Sequence, residues 1–123
     1  MNTAGNQNRD LSEHTSFRHN AVIGLLRLLL PPHVDNEKAA DFLRTKIRQD
    51  NHAIEWAAVR PDGLIDNTDV SEYDLHPYPT RDPIFDSGQA SRINVAHFMA
   101  ELMTNTETWA PWKGQIPVIY NRN

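Results

Sequence analysis

The chain has 123 residues, and none of them is cysteine. Disulfides, zinc–thiolate sites and cysteine nucleophiles are excluded on that ground. Glycine is scarce: five residues, at positions 5, 24, 63, 88 and 114. Their spacing makes neither G-x-G-x-x-G nor a P-loop. The chain by itself therefore lacks the usual backbone grip on a dinucleotide's phosphates. Long apolar runs are missing too. The longest, residues 21–30, is interrupted by Arg27 and falls far short of the roughly 20 residues a membrane span needs. Met1-Asn2-Thr3-Ala4-Gly5 is small and polar, unlike a secretory leader, and we expect a cytoplasmic protein. Neither sign of charge dominates: 12 Lys and Arg against 16 Asp and Glu leave −4. That balance argues against nucleic acid or an anionic membrane as the main partner.

What is present describes a globular chain. Apolar residues make up 39% and charged residues 23%, enough for one domain with a modest core. Residues 17–30 read as a helix apolar nearly all round, stopped by Pro31-Pro32. Residues 34–51 read as an amphipathic helix capped by Asp35 or Asn36, with Ala39, Ala40, Leu43 and Ile47 on its inner face. Residues 53–59 read as a buried strand. Helix, short link and buried strand is the rhythm of a parallel α/β sheet. Residues 62–87 are rich in Asp, Pro and Asn and read as a long loop, with a short strand near residues 73–75 and another at 83–86. Loops of this length in a compact domain are often functional. Residues 91–105 read as a late amphipathic helix. Ser91 and Asn94 have capping-box spacing, and Val95, Phe98, Met99 and Leu102 form its buried stripe. Trp109 and Trp112 fall in a loop. Residues 114–121 read as a terminal strand, placed at a sheet edge because of Pro117.

The chemistry-bearing residues are sparse. His14, His19, His33, His52, His76 and His97 show no metal-ligand spacing, and we expect no bound metal. Ser91 lies in no G-x-S-x-G elbow. The most informative stretch is IEWAAVRPDGLID, residues 54–66, which runs apolar and then stops at Arg60-Pro61 with Asp62-Gly63 directly after. Arg60 has two readings. It is a solvated strand-end charge paired with a nearby Asp, or it lies in a ligand crevice, since open α/β sheets bind ligands beyond the carboxyl ends of their strands.

The order of the segments adds a resemblance. Thr3-Ala4-Gly5, then AADFLR, then VRPDGLID, a long loop, and SGQASRINVAHFMAEL resembles the C-terminal half of atypical short-chain dehydrogenase/reductase proteins. The most similar subgroup is the NAD(P)H-binding, NmrA-like and flavin reductase (biliverdin reductase B)-like family. The resemblance spans nearly the whole chain. It implies the C-terminal half of a Rossmann-like, doubly wound parallel sheet, incomplete without an N-terminal nucleotide-binding half. It also implies cofactor contacts from Thr3, Arg60, Pro61, Asp62 and Gly63, and a substrate-pocket rim from Ser91 and Arg92, with residues 66–87 covering a small-molecule substrate. NAD(P)H would not be bound by this chain alone. The chain departs from the pattern at the acid. There is no Tyr-x-x-x-Lys, the matching helix start reads His33-Val34-Asp35-Asn36-Glu37, and Gly63 stands where related reductases carry a His. His33 is the remaining candidate acid. The implied function is hydride transfer to a flavin-like or carbonyl substrate in the intact parent. The alternatives are a non-catalytic NmrA-like dinucleotide sensor and an inactive truncated product. As a half-fold the chain is expected to expose a sheet edge, and to self-associate or pair with an N-terminal half.

Overall fold

The computed structural model describes residues 21, 31–82 and 85–122, and only the backbone of residues 31–34. Thr3-Ala4-Gly5, where the resemblance implies the end of a strand, and the expected helix at residues 17–30 lie outside the described residues, apart from Ala21, which is helical. The first element is helix α1, Pro31–Phe42. It opens at Pro31-Pro32 rather than at a cap at Asp35 or Asn36. Proline suits a first turn because its missing N–H would have no intrahelical partner there, and its φ is already helical. A π-helical segment, Leu43–Ile47, continues α1 and closes with the Arg48 N–H on the Leu43 carbonyl at 2.8 Å. Arg48 then takes φ 67° and ψ 167°. That turn aims its carbonyl at the Trp56 indole N–H, 2.9 Å away. Ala40 is buried with Trp56, Ala58 and Ile116, and Leu43 and Ile47 pack against them.

Strand β1 is Arg60–Pro61, and it runs parallel to β5, Val118–Asn121. The alignment begins earlier, where the Ala58 N–H donates to the Gln115 carbonyl at 3.1 Å and the Trp56 carbonyl accepts from the Gly114 N–H at 2.6 Å. The expected strand at residues 53–59 is therefore an extended approach, and its regular ladder forms only at Arg60–Pro61. Between β1 and β5 lie β2 (Gly63–Ile65), β3 (Tyr73–His76), β4 (Gln89–Ser91), α2 (Arg92–Thr104) and α3 (Thr106–Trp112). One sheet has the order β1-β5-β3, with β3 antiparallel to β5; β2 and β4 form a second, parallel pair.

Alternation along the extended chain sends successive side chains to opposite faces of the first sheet. Trp56 and Ala58 meet α1. Ala57, Val59 and Ile119 meet Val95, Phe98 and Leu102 of α2. Helices thus cover both faces of a small sheet, an α/β arrangement as expected, but the sheet is mixed rather than parallel because β3 runs antiparallel to β5. No helix among the described residues is long and apolar enough to cross a membrane.

Three expectations need correction. The span 62–87 holds the strand expected near residues 73–75, as β3, but also β2, which was not expected; of the expected strand at 83–86, Phe85 and Asp86 form a turn and the rest lies outside the described residues. A strand of three residues, like β2, is too short for periodicity to register. Trp109 and Trp112 sit in α3, not in a loop. Asn105 caps that helix by accepting from the N–H groups of Glu107 and Thr108, and both indoles pack on the main core. Pro111, near the end of two turns, removes a single amide bond. β5 is central, not an edge. Pro117 precedes its first ladder position, so its missing N–H costs the sheet nothing, and its carbonyl accepts from the Arg60 N–H at 2.8 Å.

Candidate functional site at the ends of the parallel strands

The chain leaves one sheet at Pro61 and enters the other at Gly63, so Asp62 is the single residue between them. The Asp62 Oδ2 accepts the Gly88 N–H at 2.8 Å, and the Gly63 N–H donates to the Gly88 carbonyl at 3.0 Å. These bonds hold the start of β2 against β4. Burial pushes the Asp62 carboxyl above its ordinary value; the Gly88 N–H and the Arg81 charge oppose that rise, while Asp82 and Asp86 add to it. Gly88 has a second reason to be glycine. A Cβ there would lie 2.2 Å from Cδ1 of Tyr120. Burial, then the Asp62 charge, raises the pKa of the buried Tyr120 hydroxyl, and polar groups of Arg81 and Thr80 beside it oppose that rise.

Register brings the two signature segments side by side. Gly63 faces Gln89, Leu64 faces Ala90, and Ile65 faces Ser91. Of the expected site residues, Asp62 and Gly63 therefore lie at the amino end of the β2–β4 pair, beside Gly88 and Gln89, while Ser91 and Arg92 follow at its carboxyl end.

Arg60 fits neither of its two expected roles. It is 0% exposed, so it is not a solvated strand-end charge. Its Nε donates to the Ile116 carbonyl at 2.9 Å and one terminal nitrogen to the Pro77 carbonyl at 3.4 Å, so these donors tie the sheet's interior to the loop after β3. Pro61 beside it is fully buried. Thr3 lies outside the described residues. His33 falls in the first turn of α1, and its side chain lies outside them too.

Ser91 caps α2: its Oγ accepts the Asn94 N–H at 3.3 Å. The reciprocal arm of the capping box comes from β5, since the Asn121 Oδ1 accepts the Ser91 N–H at 3.0 Å. Asn94, fully buried, donates to that same Oδ1 at 2.8 Å and to the Ser71 Oγ at 2.9 Å, and its own Oδ1 accepts the Ser71 N–H at 2.9 Å. Asn121 and Ser71 were missed from sequence. The only signal was an Asn at a position where Glu or Gln is usual. Tyr73 was missed as well. Its hydroxyl meets the His97 Nδ1 at 2.8 Å, across β5 from β1, and burial followed by Glu101 raises its pKa.

Arg92 projects outward. Its Nη1 donates to Asp66 at 2.7 Å, with the two side chains 58% and 86% exposed. A cleft of about 170 Å³ opens beside it, lined by Leu64, Arg92, Val95, Ala96 and Met99. Met99 also borders a cleft of about 260 Å³ that reaches Val59 and Trp109. Among the described residues no three His, Asp or Glu side chains are grouped to hold a metal ion. The paired segments thus offer a carboxyl with a raised pKa at one end, and an outward guanidinium beside an apolar cleft. No family model matches the chain, and neither a curated protein nor a solved structure is significantly similar to it.

Proposed function

We propose that the chain forms the nicotinamide and substrate side of an NAD(P)H-binding reductase of the atypical short-chain type, one that passes a hydride to a flavin-like or carbonyl substrate once a nucleotide-gripping half is supplied. The observation that carries this reading is the parallel pairing of Gly63–Ile65 of VRPDGLID with Gln89–Ser91 of QASRINVA, directly after the carboxyl end of β1 in a sheet with helices on both faces. A second feature agrees with it. Residues 57–59 are apolar at every position, as in an interior parallel strand. Yet among the described residues β1 has a neighbour on one side only, and the amides of Ala57 and Val59 make no hydrogen bond there. A strand of that composition belongs inside a larger sheet.

The fit to a dinucleotide is partial. Asp62 is half-exposed at the crevice, so its carboxyl and the adjoining backbone are available to a nicotinamide group. The interior side chains of Arg60 and Pro61 act instead by setting where the chain turns. The cofactor would supply the hydride, and this chain would supply position and surroundings. Arg92 and the apolar wall beside it would orient the substrate.

A specific observation favours the alternative of a dinucleotide sensor without turnover. No acid–base pair among the described residues is assembled beside Asp62, and the Tyr73–His97 contact lies across the sheet.

The test is titration of NADPH, followed by its fluorescence, against this chain alone and against the chain fused to an N-terminal half carrying a Gly-rich strand–helix turn. We expect binding only in the fused protein, and NADPH oxidation there with flavin or quinone acceptors. Tight binding without oxidation would select the sensor. An extended protein that binds no dinucleotide would sink both readings.

A further inference from the structure

We propose that the cleft between β2 and α2 binds a small carboxylate carried on a single apolar ring, with Arg92 as its anion partner. This deepens the reading above, in which Ser91 and Arg92 form the substrate rim, and it rests on that reading for its place in a reaction. The walls are Leu64, Val95, Ala96 and Met99, all apolar, and Arg92 is the one charged residue in the lining. The cleft, about 170 Å³, suits one ring and is well below the size of sites that bury drug-sized ligands.

The floor is set by the fold. Val95 is 4% exposed and belongs to the main core, and Leu64 packs against it from β2. These side chains cannot leave without loosening the core, so the walls are preformed. Met99 is 40% exposed, and its flexible thioether is the adaptable edge.

Charge decides the ligand class. Arg92 commits Nη1 to Asp66, and its other guanidinium nitrogens make no hydrogen bond among the described residues. A planar guanidinium with spare donors is matched to a carboxylate, which it can hold through two parallel bonds. Asp66, 86% exposed, is a loosely held tether that an incoming carboxylate can displace. An apolar amine would be repelled by the guanidinium and could pair only with the exposed Asp66 outside the lining, and a neutral ring would leave the guanidinium's spare donors in water. The cleft therefore selects an apolar acid.

The probe is benzoate, titrated against the chain with ¹³C-labelled methionine and alanine methyls observed by NMR; benzamide is the neutral counterpart of the same shape. We expect saturable shifts at Met99 and Ala96 with benzoate, and binding of benzamide about tenfold weaker, since hydrogen bonds to a charged partner are the stronger class. Arg92→Gln should weaken benzoate about tenfold, and Asp66→Asn, which removes the competing carboxylate, should tighten it. Both residues are exposed, so neither variant threatens the fold. No response at Met99, equal binding of benzamide, or no change in Arg92→Gln would each overturn the proposal. Dinucleotide binding is read separately. Benzoate bound in a protein that never takes NADPH would leave the cleft assignment standing and remove the reductase reading.

Discussion

Asp62 illustrates how much one side chain at a strand end can decide. It is half-buried at the junction of two sheets, and its carboxyl is raised above the ordinary 3.8 mainly by burial. A raised folded-state pKa means that folding favours the protonated form. The stabilisation is complete below the unfolded value and is lost as pH climbs through the higher folded value. Asp62→Asn keeps an oxygen for the Gly88 N–H and removes the charge. Denaturation curves across that window should show the wild type losing stability with rising pH while the variant stays flatter, so that the variant is the more stable at neutral pH. Equal pH profiles would show that the carboxyl is not perturbed. Gly88 makes the complementary case. Its alanine variant drives a methyl into the Tyr120 ring, 2.2 Å from Cδ1, and overpacking of this kind costs about 1–3 kcal/mol. Urea unfolding of Gly88→Ala measures it. Gly63→Ala, whose new methyl would lie 3.1 Å from the Gly88 carbonyl oxygen, should be the milder change.

Elements in this chain are ended and joined by backbone polar groups more than by composition. The π segment after α1 stops at Arg48, whose φ of 67° is ordinarily a glycine conformation. The strain is retained because the turn presents the Arg48 carbonyl to Trp56. Arg48→Gly keeps that carbonyl and relieves the strain, and should stabilise the protein by about 0.5–1 kcal/mol in thermal unfolding. Loss of stability would mean that the exposed Arg48–Asp50 pair matters more than surface pairs usually do. The start of α2 depends on a different device. Asn94 and Asn121 share a bond at 2.8 Å, and together they anchor Ser91 and Ser71. Replacing Asn94 by Ala leaves buried donors and acceptors orphaned, at about 1–3 kcal/mol. In a double-mutant cycle the two asparagines should couple by about 0.5–3 kcal/mol. A coupling of zero would show that the α2 cap and β5 are independent.

At the scale of the whole molecule the first sheet is unfinished on one side among the described residues. The extended approach to β1, residues 56–59, carries apolar residues on both faces, and exposed apolar side chains include Ile54, 50% exposed, and Met103, 85% exposed. Unprotected edges and apolar patches drive association. We expect the isolated chain to elute from size exclusion larger than one copy and to melt broadly. A sharp, concentration-independent transition of a single copy would contradict this.

Much of this was legible in sequence. α2 was, because Ser91 opens it and Val95, Phe98 and Leu102 recur at helical spacing over 13 residues. α1's inner face was legible for the same reason, although its first residue was not. What escaped was short or cooperative. β2 has three residues, below any detectable period. The α3 tryptophans gave no repeat to read. The pairing that brings the candidate site together links residues 63–65 to residues 89–91, and no local pattern encodes that register.

Composition and spacing by themselves determined what chemistry the chain lacks: no thiol, no Gly-rich phosphate loop, no long apolar span. They also marked residues 60–63 as a strand end and Ser91 as a helix cap, because such ends leave local signatures; Arg92 entered only through what the family resemblance implies. Only the tertiary structure decided what those residues do. Arg60 looked like a charge at a strand end, and packing on both faces of the sheet placed it at 0% exposure. Asp62 looked like half of a turn, and the Gly88 N–H made it the joint between two sheets. The reason is that exposure, register and pKa depend on neighbours distant in the chain, and these are set only when β1, β4 and β5 come together.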